Sequence, residues 1–400
     1  MTEPANKKSA PALSTSSAFR FVLTLGIVNL FADMTYEGAS SINGPFLGML
    51  GASAAAIGVI SGVGEFLGYS LRLVAGYVAD KTGKYWLVTF IGYGINLLAV
   101  PALALAGTWP VAAGLMIAER VGRAIRKPSV EAMLSYTTAS LGKGWVYALN
   151  NALDQAGATI GPLFIAGVLL LKGNYQTGYA LLLIPTLMAF ATLVLAQRFF
   201  PHPSRLEAGP TATATGFTTA YWLYMAGGAC IAAGLVSFEL IAYHFAKTKT
   251  VSQEWIPILF SLAMATNAVA SLIFGRLFDR LGLPVVFVAI LLCAPFAALV
   301  FLGGFYMALV GMILWGIGFA TQDTLLKAII AGMLPEGRRN LAFGLFYAGY
   351  GCGWLIGSVT TGLLYDRLLP LVVAFSIVVQ VASLPLFLIA GRRADRQVPV

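Results

Sequence analysis

Charge is what this sequence has least of: 10% of its 400 residues are Asp, Glu, Lys or Arg, against about a quarter in a soluble chain. That scarcity excludes an ordinary water-soluble globule. Histidine is scarcer still, with two in the whole chain, too few for a dedicated His metal cluster. No nucleophile–base set, zinc motif or phosphate-cradling loop is present. An enzyme is therefore not expected, nor a metal site, nor a cofactor. No long polar stretch stands outside the apolar segments to serve a signalling receptor. The three cysteines, Cys230, Cys293 and Cys352, all fall in apolar segments. They are small packing residues rather than a disulfide framework.

What fills the chain instead is apolar: hydrophobic residues make up 58% and the mean hydropathy is +0.83. Apolar stretches of about 20 residues or more recur along its length, so it crosses the lipid bilayer many times. The net charge of +9 does not imply nucleic acid, because the solvated Lys and Arg are concentrated on alternate connections. Residues 1–18 are polar, with Lys7 and Lys8. The apolar run from Phe21 is too long for the core of a signal peptide and is read as an uncleaved first helix.

Gly, Pro and Lys punctuation predicts helices near 19–48, 53–79, 85–107, 109–136, 144–171 and 177–198. A second six follow near 218–246, 253–278, 284–303, 305–333, 339–365 and 369–390. The expected fold is an all-α membrane protein of 12 transmembrane helices in two six-helix bundles. Its parts are a tail at 1–18, an N-terminal bundle at 19–198, a flexible linker at 199–217, a C-terminal bundle at 218–391 and a tail at 392–400. Placing the N-terminus in the cytoplasm puts fifteen basic residues inside, including Lys81, Lys84, Lys143, Arg276 and Arg280. Only Lys172, Lys247, Lys249 and Arg367 fall outside. The expectation is a multi-pass protein of the cell (inner) membrane with both termini cytoplasmic.

The two halves repeat. Gly76-Tyr-Val-Ala-Asp80-Lys81-Thr-Gly83-Lys84 returns as Gly275-Arg-Leu-Phe-Asp279-Arg280-Leu-Gly282, the aspartates 199 residues apart. Tyr147, Gly157 and Gly161 return as Phe343, Gly353 and Gly357, 196 residues on. Two signals at nearly one period indicate an internal duplication, a common plan among transporters.

On these residues the chain resembles the major facilitator superfamily over essentially its full length. Gly76, Asp80, Lys81, Gly83 and Lys84 look like that family's signature between helices 2 and 3. Asp279, Arg280 and Gly282 look like its copy between helices 8 and 9. The resemblance implies that these residues gate the cytoplasmic side. Gly157-Ala-Thr-Ile-Gly161-Pro162 is similar to the family's antiporter motif, which implies export. It departs where Ile165-Ala166 stands in place of a glycine pair. Glu119-Arg120-Val-Gly122-Arg123 resembles the basic helix-4 motif of family exporters, with Arg120 as counterpart and a shorter Arg-to-Gly spacing. Gly157, Gly161, Pro162, Gly353 and Gly357 also serve close helix packing. The family tendency implies a monomer.

Eight of the sixteen acids lie within predicted helices. A lone charge at the bilayer centre costs about 2.5–3.5 kcal/mol even on the lenient scale, so these groups must face water or one another. Their phase agrees with that. Asn29, Asp33, Tyr36, Glu37 and Ser40 share one stripe of helix 1, and Glu65, Tyr69 and Arg72 one stripe of helix 2. On helix 4, Glu119, Arg120, Arg123, Arg126, Lys127 and Glu131 fit an arc of roughly 140°. On helix 5, Tyr147, Asn150, Asn151, Asp154 and Gln155 fall together. The C-terminal half offers only Glu239, Asp323 and Lys327, with Asn267 and Gln322 as neutral polar groups.

Several of these residues also admit structural roles. Glu119–Arg123 and Asp323–Lys327 are ion pairs at one-turn spacing, and Arg126 and Lys127 can snorkel. His244, near Tyr243 and Glu239, suits either a proton relay or a solvent edge. Asp33, Glu37 and Asp154 have the fewest local basic partners and are the first expected proton carriers, followed by Glu239 and Glu131. The expected function is a proton-coupled transporter of a small organic solute, working by efflux. The alternative is symport uptake of an anion bound by Arg72, Arg120, Arg123 and Lys327. Acids, bases and aromatics coexist in the cavity, so the sequence leaves the substrate's charge open.

Overall fold

In lipid a chain must satisfy its own backbone hydrogen bonds. The computed structural model of the protein is accordingly helical, with no strand among its described residues. The structure describes residues 15–135, 137, 141, 143–201, 218–321, 326 and 339–395. The helices are α1 (Thr15–Met49), α2 (Ala54–Thr82), α3 (Tyr85–Ala102), α4 (Trp109–Ser135), α5 (Lys143–Leu170) and α6 (Tyr175–Leu181 with Leu183–Phe199). The second set is α7 (Thr219–Gly234 with Phe238–Thr248), α8 (Trp255–Leu281), α9 (Pro284–Cys293 with Phe296–Leu302), α10 (Phe305–Ala320), α11 (Arg339–Arg367) and α12 (Leu369–Asp395). Among the described residues, nine stretches are long and apolar enough to cross a bilayer. The charges carried by α4 keep it out of that group.

Short connections make successive helices antiparallel. The end at which α1 begins is here called the near end, and the opposite end the far end. Within one bundle α1 packs on α5 and α6, and α4 on α2 and α3. Within the other α7 packs on α11 and α12, and α8 on α10. The bundles meet where α2 crosses α11, α5 crosses α8, and the second piece of α7 crosses α1.

One crossing is built twice. A side chain at Gly157 or Gly161 of α5 would run into the backbone carbonyls of Leu30 and Met34 on α1. One at Gly353 or Gly357 of α11 would run into those of Ala229 and Ala233 on α7. Only glycine permits backbones this close, and the same small-residue step serves both bundles.

Three helices expected to be continuous are broken. Pro295 interrupts α9, and α6 is interrupted at Leu182, three residues before Pro185. The break in α7 has no proline. Leu235 and Ser237 adopt extended backbone, and the carbonyls this frees are taken by distant groups. Gly234 O accepts from Ser376 Oγ at 2.7 Å and Gln380 Nε2 at 3.2 Å, and Val236 O from Trp315 Nε1 at 2.9 Å. Unwound backbone inside a membrane persists only when it is satisfied in this way. The break also places Glu239 in the first turn of a new helix, where a carboxylate is favoured.

Cross-bundle contacts gather toward the far end. Ala55 N–H donates to Asp366 Oδ2 at 2.9 Å, and Ser261 Oγ to Thr159 O at 2.9 Å. Gly58 lies on Ser358 O, and Gly44 on Glu239 O, too closely for any side chain. Among the described residues no hydrogen bond joins the bundles at the near end. The tightest contacts between the bundles therefore lie toward the far end.

Candidate functional site

A cavity of about 480 Å³ lies between the bundles. It is walled by the stripes of four helices: Asn29, Asp33, Tyr36 and Glu37 of α1; Tyr69 and Arg72 of α2; Arg123, Arg126, Lys127 and Glu131 of α4; Asn150, Asn151, Asp154 and Gln155 of α5. On α4 and α5 these positions occupy the near-end halves, so the cavity lies toward that end. The other bundle contributes Met264, Asn267 and Ser271 of α8, Phe319 of α10 and Tyr347 of α11. Gln322, Asp323 and Lys327 lie outside the described residues, as do the side chains of Tyr147 and Asp80.

The charges form two linked groups. In the first, the Arg120 guanidinium, 6% exposed, donates to Glu65 through Nη1 and to Glu239 through Nη2. Arg123 lies 3.4 Å from Glu65 and 3.8 Å from Glu119. Ser61 Oγ adds a hydrogen bond to Glu239 Oε2 at 3.1 Å. In the second, Arg126 Nη2 lies 3.7 Å from Asp33 Oδ1. Its Nε donates to Asn96 Oδ1 at 3.2 Å and its Nη1 to Tyr93 Oη at 3.1 Å. Asn96 joins the two groups, because its Nδ2 also donates to Glu119 Oε1 at 2.8 Å.

This geometry changes four expectations. Arg126 does not snorkel; it is 4% exposed and held by Asp33, Asn96 and the ring of Tyr93. Asp33 consequently has a basic partner that helix 1 alone could not reveal. His244 is not at a solvent edge but 2% exposed, and its Nδ1 lies 2.9 Å from Tyr365 Oη. Glu239 accordingly faces Arg120 and Ser61 rather than a histidine relay.

Glu37 and Asp154 differ from Asp33, Glu65, Glu119 and Glu239. Among the described residues neither has a cation within 4 Å. Asp154 Oδ2 accepts only a 3.4 Å bond from Asn150, and its Oδ1 is buried without a partner. Glu131 faces the cavity more openly. Arg72 is engaged otherwise: Nε donates to Gly68 O at 3.0 Å, and the guanidinium lies over Tyr69 and, across the bundle interface, Tyr347.

At the near end, Lys81, Lys84, Asp279 and Arg280 are exposed and form no ion pair among the described residues. Gly83 and Gly282 end α2 and α8 with positive φ. Sequence reasoning missed Tyr93, Asn96 and Ser61, whose only signal was a polar group inside an apolar helix.

The sequence profile of the Major Facilitator Superfamily matches residues 217–399. An uncharacterized protein of Mycobacterium tuberculosis is 36% identical over 364 residues, covering 89% of this chain and 88% of its own length. An uncharacterized MFS-type transporter of Methanocaldococcus jannaschii is 25% identical over 359 residues, covering 86% and 88%. In fold the chain is similar to the nucleoside transporter NupG, with a TM-score of 0.74 at 15% identity over 92% of this chain and 99% of that one.

Proposed function

The chain belongs to the major facilitator superfamily of multi-pass secondary transporters, and from that premise we propose that it exchanges protons for a small organic solute by alternating access. The basic-residue asymmetry supports a cytoplasmic near end in the cell membrane, so the cavity faces the cytoplasm in this conformation. The antiporter-like Gly157-to-Pro162 segment supports export, and the protein works as a monomer.

The observation that carries this reading is the contrast among carboxylates around one cavity. Glu65, Glu119, Glu239 and Asp33 are matched to arginines, whereas Glu37 and Asp154 are not. An unmatched buried carboxylate is costly, and a proton removes that cost. In the outward-facing state Asp154 and Glu37 take protons from outside. Solute entering from the cytoplasm competes with those protons, and their release inward drives the cycle. The Asp33–Arg126 pair tunes Asp154 from the neighbouring helix, and Glu131 passes protons at the mouth. Each ligand shifts the rocking equilibrium only through its different affinity for the two states.

The test is flux in proteoliposomes under an imposed pH gradient. Wild type is expected to accumulate solute against its gradient. Asp154→Asn with Glu37→Gln is expected to exchange solute down its gradient without response to pH. Persistence of pH-driven accumulation in that double variant would end the reading.

One observation favours a second reading. Arg72, Arg123, Arg126 and Lys127 all face the cavity, which suits symport uptake of an anionic solute. Direction of movement in oriented vesicles separates the two.

A further inference from the structure

Beside the main cavity lies a smaller chamber of about 100 Å³ that sequence reasoning did not anticipate. The two spaces share Glu37, Tyr69, Arg123, Met264 and Phe319, so they adjoin. The wall from the C-terminal bundle is aromatic. Phe238 packs on Phe260 at 4.2 Å between centroids, Trp315 on Phe319 at 4.4 Å, and Phe319 on Trp354 at 5.8 Å. The opposite wall holds Glu37 and Glu65, with Glu239 entering from the α7 break.

The two tryptophans differ in a way that packing does not require. Trp315 Nε1 donates to Val236 O and is pinned. Trp354 is 5% exposed, and its Nε1 has no hydrogen-bond partner. Buried donors are rarely left so, and each such case calls for an explanation. Here the side chain borders a chamber that opens into the cavity, where an incoming acceptor or π-system would meet it.

Among the described residues, six carboxylates and five cations line the two spaces. A seventh carboxylate, Glu119, stands behind them on Arg123. Arg120, Arg123 and Arg126 are held by acids of the protein, and Arg72 by two tyrosine rings. The formal excess is negative, and of the acids without an ion pair among the described residues, Glu37 borders both spaces.

We propose that the joined spaces bind an organic cation carrying an aromatic ring. The ring sits among Phe238, Phe260, Phe319 and Trp354, and the cationic nitrogen beside Glu37 at the mouth. At about 100 Å³ the chamber is smaller than the roughly 150 Å³ dry cavity that holds benzene, so a ring enters it with one edge still in the larger space. The rest of the solute extends into the larger space. Tryptophan faces suit such a cation, and a carboxylate supplies the matching charge. This inference rests on the proton-exchange reading, in that Glu37 gives up its proton as the cation arrives.

The experiment uses the purified full chain in detergent and a charge series of one shape: 1-methyl-4-phenylpyridinium, neutral 4-methylbiphenyl and anionic 4-phenylbenzoate. Binding is read by equilibrium dialysis and proton release by a pH dye. The cation is expected to bind at least about tenfold more tightly than the anion, with Trp354→Leu and Glu37→Gln each weakening it by about tenfold. Trp354→Phe, which keeps the ring, is expected to lose less and guards against a folding defect in Trp354→Leu. Equal or tighter binding of the anion, or undiminished cation binding in both Trp354→Leu and Glu37→Gln, would overturn the proposal. The two readings fail separately. Cation binding without proton release removes the exchange and leaves the chamber's preference standing. Protons taken up and released in pH jumps, with no cation binding, remove the chamber alone.

Discussion

Arg120 of α4 donates to Glu65 in its own bundle and to Glu239 of α7 in the other, so a single guanidinium ties the two bundles beyond the cavity. It does so at Glu239, whose backbone carbonyl lies against Gly44 of α1 too closely for any side chain. In the alternating access proposed above, α4 and α7 part at this place, so the ion pair would stabilise one arrangement of the bundles. Removing one member of a buried pair costs about 3–5 kcal/mol, because the other charge is stranded. Arg120→Ala is expected to lower thermal stability by that order. Glu239→Gln leaves Arg120 with Glu65 and is expected to cost less. It should lengthen the far-end distance between spin labels placed on α1 and α7. An unchanged distance distribution would show that the pair does not hold the far end closed.

The repeated glycine crossing predicts a matched pattern of damage. A Cβ at Gly157 or Gly161 meets carbonyls of α1, and one at Gly353 or Gly357 meets carbonyls of α7. Gly167, on the same helix as the first pair, has open space around it. Overpacking of this kind costs roughly 1–3 kcal/mol. Gly157→Ala and Gly353→Ala are both expected to lower the melting temperature in detergent, while Gly167→Ala leaves it unchanged. Equal losses at all three would show that the crossing is not their source, since helix propensity alone favours alanine over glycine.

The sequence carries a great deal of this fold because helix periodicity reports which residues share a face. The stripes of α1, α2, α4 and α5 were legible from spacing alone, and the structure brings them to one cavity. The duplicated glycines were legible for the same reason. Pairings across helices were not. Arg120 and Glu239 lie 119 positions apart, and Asp33 and Arg126 lie on different helices, so no local pattern links them. The α7 break was also hidden. Gly234-Leu-Val-Ser237 contains no proline, and its carbonyls are satisfied by Trp315, Ser376 and Gln380 from α10 and α12. The aromatic chamber was hidden because Phe and Trp in apolar helices look alike whether they face lipid, core or ligand.

Asn96 predicts how tightly the two charge groups are linked. Its amide gives a hydrogen bond to Glu119 and receives one from Arg126, deep in α3. Asn96→Leu leaves both charged partners short of a hydrogen bond at a cost of about 1–3 kcal/mol. A double-mutant cycle between Asn96→Leu and Asp33→Asn, read by thermal unfolding, is expected to give a coupling energy of at least about 0.5 kcal/mol. Additive losses would mean that Arg126 relaxes independently of Asp33. The groups around Glu119 and Asp33 would then act separately.

The last prediction concerns the two ends of the repeated loop. Gly83 caps α2 with φ 64° and ψ 6°, and Gly282 caps α8 with φ 68° and ψ −141°. Neither glycine has any atom near the place of a Cβ, so a clash cannot explain a loss there. The backbone alone decides. The Gly83 conformation is the left-handed helical one, which a non-glycine residue reaches at a cost of about 1 kcal/mol. The Gly282 conformation lies close to the region used almost only by glycine, and costs about 2–3 kcal/mol. Gly282→Ala is therefore expected to destabilise more than Gly83→Ala, although the first copy of the motif is the fuller match. Gly83→Asn is expected to be nearly neutral, since asparagine tolerates the left-handed conformation, while Gly282→Asn is not. If Gly282→Asn melted at the wild-type temperature, the α8–α9 turn would have to relax into an ordinary conformation. The second copy would then be free of the constraint that its backbone now imposes.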